Sequence, residues 1–137
     1  MGIAEERAGR RGEKLGWTFG WTGGFLWLAL LSGVWLVQGR IVEGLAGGAL
    51  FLAAMALVAG CAPWKHPRTK NWKLMLPVYA AFFLSVLACI RLHGGFEAAG
   101  IRWWVLLAVL APTLLPFATA GNRTWLDEGK QGDVINK

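Results

Sequence analysis

Charged residues divide the chain into four long uncharged runs. The runs cover residues 15–39, 44–64, 74–90 and 103–122, and they are 25, 21, 17 and 20 residues long. A helix rises 1.5 Å per residue, so about 20 apolar residues cross the roughly 30 Å hydrocarbon core of a bilayer. Lys73 and Arg91 flank the shortest run, and their aliphatic stems can lie in the apolar layer while the charged heads reach the interface. The pattern therefore predicts four spans.

The predicted fold is an all-α integral membrane protein, an antiparallel bundle of four transmembrane helices joined by short loops. The spans are expected at about residues 16–38, 43–63, 73–92 and 102–121, inside a membrane domain of residues 15–125. Residues 1–14 and 126–137 are expected to be mobile cytoplasmic tails. The composition agrees, because 55% of the residues are hydrophobic and 16% are charged, against about 25% charged in soluble domains. Such a chain is too apolar to be disordered.

The basic residues are distributed unequally between the two sides of the predicted membrane. Eleven of the fourteen Lys and Arg residues lie in the tails and in the loop between spans two and three, whereas Arg40, Arg91 and Arg102 lie on the other side. The positive-inside rule then places both termini in the cytoplasm. The compactness of the chain favours a bacterial inner membrane. The net charge of +6 follows from this topology and from contact with anionic lipid head groups, so no nucleic-acid partner is expected.

The first uncharged run differs from a secretory signal peptide. Signal peptides have an apolar core of 7–15 residues and a small-residue cleavage site. Here the run is 25 residues long and ends without an Ala-x-Ala pattern. We therefore expect a retained span.

Glycines recur at helical spacing in the first two spans. Gly16, Gly20 and Gly24 share one face of the first span, and Gly44 and Gly48 form a G-x-x-x-G pair in the second. Small residues let neighbouring helix backbones approach closely, which favours association in lipid. Both sets are therefore predicted to pack helices within the chain, and a contact between two copies is the alternative for the first set.

Aromatic residues concentrate near the predicted membrane boundaries. Most of the nine tryptophans lie there, where an indole ring can be buried while its N–H stays hydrogen-bonded. Trp27 and Trp35 lie deeper and are expected to pack or to face lipid, with a pocket-lining role as the alternative. The third span carries an aromatic and aliphatic stripe that predicts packing: Tyr79, Phe82, Phe83 and Val86.

The fourth span contains two prolines near its centre. Pro112 and Pro116 each remove a backbone donor, so the carbonyls of Ala108 and Pro112 are predicted to lose their helical partners near the bilayer midplane. Thr113, a neighbouring helix or a water molecule can supply the missing donor. The segment is expected to be a structural kink, and the alternative is a midplane binding site formed by Ala108, Pro112, Thr113 and Pro116.

The loop between spans two and three is the most distinctive polar segment. It contains two tryptophans, three basic residues between them and a fourth directly after the second. We expect all six to contact anionic lipid or a partner protein: Trp64, Lys65, Arg68, Lys70, Trp72 and Lys73. Charge placement that sets the topology is the simplest role of this loop.

Residue types that support catalysis or metal binding are sparse. Glu43, Arg91, His93, Glu97 and Arg102 all map to the extracytoplasmic ends and are expected to be solvated. Cys61 and His66 are too few ligands for zinc, and no catalytic motif is present. We therefore expect no enzyme activity, no cofactor and no metal.

Two functions agree with the sequence. The first is a non-catalytic accessory or assembly subunit of a membrane complex, with a membrane-protein partner or a homo-oligomeric contact. The second is an oligomeric channel or transporter for ions or small solutes that uses the proline-containing fourth span. It has to be oligomeric because four helices of this size leave no lumen between them. Neither the partner nor the transported solute follows from the residues.

Overall fold

A computed structural model describes residues 2–126, with side chains from residue 10 onward. The described elements are helices α1 (Gly2–Val37), α2 (Ile41–Gly60) and α3 (Asn71–Leu92), a 3-10 turn (Pro63–Lys65), helix α4 (Trp103–Leu110), a 3-10 segment (Ala111–Leu114) and helix α5 (Leu115–Ala120). We call residues 103–120 span 4. Counting span 4 as one, four helices are long and apolar enough to cross a membrane. This confirms the predicted all-helical class and indicates a membrane protein.

Helix α1 begins well before the predicted first span. Residues 2–14, assigned to a tail from the sequence, continue the same helix without a break. Extending an existing helix costs far less free energy than nucleating a new one. A segment directly continuous with a long helix is therefore readily helical. Arg10 and Lys14 also lie over tryptophan rings, which holds this part of α1 against the bundle. Residues 127–137 of the predicted carboxyl-terminal tail lie outside the described residues.

Helices α1 and α2 make the most extensive helix contact, and glycines of α2 form it. Gly44 and Gly47 are buried, and a Cβ atom built on Gly47 would lie 3.2 Å from Ser32 Cβ. The Ser32 hydroxyl donates a hydrogen bond to the Gly44 carbonyl, and the Trp17 indole N–H donates to the Val58 carbonyl at 3.3 Å. Close packing and hydrogen bonds, rather than hydrophobic drive, hold helices together in lipid. The glycines therefore set the position of α2 against α1.

Large side chains fill the space among the first three helices. Phe25, Leu28, Trp35 and Val78 are fully buried. Phe82, a member of the stripe predicted in the third span, contacts Phe25 edge-on with ring centroids 5.7 Å apart. Edge-on geometry is the favourable arrangement for aromatic pairs. The core is thus formed by α1, α2 and α3.

Span 4 is the least buried part of the bundle. From Trp103 to Ala120 no residue is buried. Its main contacts run to α3, where Tyr79 meets Phe117 edge-on with ring centroids 5.8 Å apart. Just after the span, the backbone N–H of Trp72 donates to the Gly121 carbonyl at 2.8 Å. Most of the apolar surface of span 4 is therefore uncovered.

Arg40 joins three elements at the end of the bundle where α1 passes into α2. Its Nη2 donates to the Leu92 carbonyl of α3 at 2.8 Å and to Glu43 Oε1 of α2 at 3.0 Å. The guanidinium also lies over the buried ring of Trp35, 5.5 Å from its centroid. Gly39 precedes it with φ of 77°, a conformation that favours glycine and lets the chain turn sharply. We call this end the Arg40 end.

Candidate functional site

The loop between α2 and α3 is held against the end of span 4. Asn71 N–H donates to the Arg123 carbonyl at 2.9 Å, and Lys70 and Thr124 form an isolated β-bridge. These contacts bring residues 61–73 and 121–126 together at one end of the bundle, opposite the Arg40 end, and residues 10–14 of α1 lie at the same end. We call it the basic end. Within residues 10–126 it carries eight Lys and Arg side chains and one acidic residue, Glu13.

Cationic side chains and indole rings form a cluster at the basic end. The rings of Trp64 and Trp125 meet edge-on with centroids 6.2 Å apart. Lys14 Nζ lies 5.7 Å from the Trp64 ring, and Arg10 Cζ lies 5.6 Å from the Trp125 ring. A cation over an indole face contributes about 0.5–1 kcal/mol at an exposed site. The cluster therefore joins α1, the loop and the segment after α5, three parts of the chain that are distant in sequence.

The six residues predicted to contact lipid or a partner divide by exposure. Trp64 and Trp72 are half-buried, and Lys73 Nζ lies 5.5 Å from the ring of Trp72. The basic members of the set are all exposed: Lys65, Arg68, Lys70 and Lys73. The structure thus places their charges on the surface of the basic end.

Arg10, Lys14 and Trp125 also belong to this site, although the pattern of residues along the chain does not place them there. The two cations lie in the predicted amino-terminal tail, and Trp125 lies among the tryptophans near a predicted membrane boundary. Trp125 is instead 5% exposed, covered by Trp64 and Arg10. The helical spacing of Arg10, Lys14 and Trp17 was the available signal, because residues four and three apart share a face.

The Pro112 carbonyl receives its replacement donor from the backbone of span 4 itself, rather than from Thr113, a neighbouring helix or a water molecule. The chain winds into a 3-10 segment there, and the Leu115 N–H donates to the Pro112 carbonyl. A 3-10 turn uses the donor three residues ahead, which is Leu115 rather than the missing N–H of Pro116. The Thr113 hydroxyl bonds the Leu110 carbonyl at 2.6 Å, and the Tyr79 hydroxyl donates to the Thr113 carbonyl at 2.6 Å. The prolines therefore change the winding of the span, and hydrogen bonds satisfy these backbone groups.

The four residues of the predicted midplane site are not gathered around one point. Ala108, Pro112 and Pro116 are exposed, and Thr113 is half-buried. Thr113 and Pro116 line a cavity beside α1, whereas Ala108 and Pro112 are not among its lining residues.

This cavity lies between α1, α3 and span 4 and has a volume of about 420 Å³. We call it the glycine cavity, and its lining residues are Gly16, Trp17, Gly20, Trp21, Gly24, Met75, Tyr79, Phe82, Thr113 and Pro116. A second cavity of about 430 Å³ lies toward the Arg40 end and shares Phe82 with the first. Trp27 and Trp35 line this second cavity. Span 4 is thus separated from α1 along much of its length.

The two glycine sets have different surroundings. Gly44 faces Leu36, and Gly48 faces the Ser32 hydroxyl, so both lie where α2 meets α1. A Cβ atom built on any glycine of the first set would meet no atom within 4 Å. In this chain, the face formed by Gly16, Gly20 and Gly24 borders the glycine cavity instead of a neighbouring helix.

Within the described residues, no group of three or more His, Cys, Asp or Glu side chains is placed to hold a metal ion. Compared with known proteins, the chain matches no family model, no curated protein and no solved structure.

Proposed function

We propose that this chain is an integral membrane protein that acts as a non-catalytic accessory or assembly subunit of a membrane complex. Its four helices would form an antiparallel bundle in a bacterial inner membrane, with both termini and the basic end in the cytoplasm. The observation that carries the proposal is the exposure of span 4, which has no buried residue from Trp103 to Ala120.

An exposed membrane helix can complete its packing on another protein. Helices associate in lipid through short-range contact, and span 4 makes few such contacts within its own chain. Its exposed side chains include Leu107, Val109 and Leu115, all more than half exposed. A membrane helix of a partner would pack against this face, and the charged loop at the basic end would contact the polar part of the same partner.

Site-specific photo-crosslinking in cells tests this assignment. A photoreactive residue at Leu107 or Leu115 of span 4 should crosslink to one other membrane protein, which then co-purifies with this chain and gives a defined complex mass by native mass spectrometry. Leu52 of α2 is the matched control, because it is 68% exposed and Leu107 is 58% exposed. Equal crosslinking from Leu52 and Leu107, or crosslinks to lipid alone, would contradict the proposal.

The alternative is an oligomeric channel or transporter for ions or small solutes. The position of Thr113 and Pro116 on the wall of the glycine cavity favours it, since a 3-10 segment beside a cavity is a place where a solute can meet polar backbone. A homo-oligomer of three or more copies in mild detergent, together with loss of solute flux in the P112A/P116A variant, would support this alternative. An accessory subunit should keep its partner in the same variant.

A further inference from the structure

The glycine cavity opens sideways toward the region that lipid would occupy. Gly16 and Gly20 on its α1 wall and Pro116 on its span 4 wall are all exposed. The rest of the wall is mainly apolar, including Trp21 and Met75. Its volume of about 420 Å³ lies within the range of ligand sites in proteins, roughly 300–1,000 Å³. An apolar chain can therefore enter it from the side.

Two lysines lie just beyond the cavity at the basic end. Lys14 precedes the lining residue Gly16 by two positions and shares a helix face with the lining residues Trp17 and Trp21. Lys73 precedes Met75 by two positions, and its ammonium group lies over the ring of Trp72, which shares a helix face with Met75. At 1.5 Å per residue, each lysine Cα is about 3 Å farther along its helix than the cavity wall. Both side chains are exposed, and neither forms an ion pair with a described carboxylate. Their positive charges are available at the mouth of the cavity.

The positive charge of the basic end indicates which kind of molecule the glycine cavity would bind. Within residues 10–126, the basic end carries eight Lys and Arg side chains and only one Glu. The mouth of the cavity therefore attracts an anion. An apolar helix placed in the cavity would leave these lysines unpaired, whereas a phosphodiester at the membrane surface would bind them. Lys14 and Lys73 lie over the rings of Trp64 and Trp72, and an ammonium group has three N–H donors to offer.

We propose that the glycine cavity binds one anionic phospholipid. An acyl chain occupies the space between the glycine face of α1, the ring of Tyr79 and Pro116, and the phosphate lies between Lys14 and Lys73. The lipid fills the gap that separates span 4 from α1. This inference is independent of the partner protein proposed above, because it concerns a face of α1 and the inner side of span 4.

The test is lipid retention by the purified chain. Delipidated protein is incubated with vesicles of equal phosphatidylglycerol and phosphatidylcholine, extracted in mild detergent, and examined by native mass spectrometry. We expect one retained phosphatidylglycerol per chain. Replacing both lysines (K14Q/K73Q) should lower the preference for phosphatidylglycerol about fivefold per lysine, the factor that corresponds to ~1 kcal/mol for each charge. R102Q, at the Arg40 end, should leave it unchanged.

A pair of glycine variants separates the cavity from general contact with lipid. Gly20→Leu fills the cavity, and Gly23→Leu adds the same side chain to the same helix at a position that does not line it. A Cβ atom at either position meets no atom within 4 Å, so both variants should fold, which helix content and thermal unfolding check. We expect Gly20→Leu to lose the bound lipid and Gly23→Leu to retain it.

Three results would overturn the inference. The first is wild-type protein that retains both lipids equally or neither. The second is equal retention by the Gly20→Leu and Gly23→Leu variants, which would mean that only the surface lysines select the head group. The third is a dimer mass that Gly20→Leu abolishes, which would show that a second copy occupies the cavity.

Discussion

At the scale of single residues, Arg40 makes contacts that its position in a short turn does not reveal. The sequence assigned it only to the side of the membrane with few positive charges. The structure joins it to Trp35 of α1, Glu43 of α2 and the Leu92 carbonyl of α3. A charged donor that satisfies a helix-end carbonyl and also covers an aromatic ring stabilises the packing of all three helices.

Arg40→Ala should lower the free energy of unfolding by about 1–2 kcal/mol, chiefly because the Leu92 carbonyl loses a charged donor. Unfolding of the purified protein in mixed micelles, followed by tryptophan fluorescence, measures the change. Arg91→Ala is the matched control, since Arg91 is exposed near the same end. Equal losses for the two variants would show that Arg40 acts only through its charge.

Tyr79 attaches span 4 to α3 through its hydroxyl group. Tyr79→Phe keeps the ring contacts but removes the donor to the Thr113 carbonyl, so we expect a loss of about 1 kcal/mol in the same unfolding measurement. Thr119→Val removes a hydroxyl that bonds only the Leu115 carbonyl within span 4, and it should cost less. A Tyr79→Phe variant as stable as the wild type would contradict a role in holding span 4.

At the scale of helices, similar glycine patterns lead to different contacts. Three glycines of α2 lie against α1, namely Gly44, Gly47 and Gly48, whereas the glycine face of α1 borders the glycine cavity. Gly47 lies outside the predicted G-x-x-x-G pair, yet it is buried against Ser32 and Trp35. Spacing identifies which glycines share a face, but the rotation of the helix decides what that face meets.

Gly47→Leu should separate α1 from α2 and lower the free energy of unfolding by about 1–3 kcal/mol, the usual cost of overpacking. Gly60→Leu in the same helix is the control, because a Cβ atom there meets nothing within 4 Å. Thermal unfolding in detergent compares the two. If both variants unfold at the wild-type temperature, the α1–α2 contact is looser than the structure indicates.

At the scale of the whole molecule, positive charge accumulates at one end. The basic end holds eight of the Lys and Arg side chains between residues 10 and 126. If the bundle spans a membrane as proposed, this asymmetry orients it with the basic end in the cytoplasm.

Reporter fusions test that orientation. A fluorescent protein that folds only in the cytoplasm should fluoresce when fused after residue 126, and a phosphatase active only outside should work when fused after residue 95. Replacing Lys65, Arg68, Lys70 and Lys73 with Gln should reduce the fraction of molecules in this orientation, while Arg102→Gln should not. The reverse pattern of reporter activity would refute the proposed topology.

Four helices long and apolar enough to cross a membrane follow from the sequence alone, because hydropathy and charge are properties of local segments. The same is true of the charge difference between the two ends. Only the tertiary structure decided which glycines pack, which cations cover Trp64 and Trp125, and which donors satisfy the proline segment. Those contacts join residues from different helices, and they depend on helix rotation and winding, which the pattern of apolar positions does not specify.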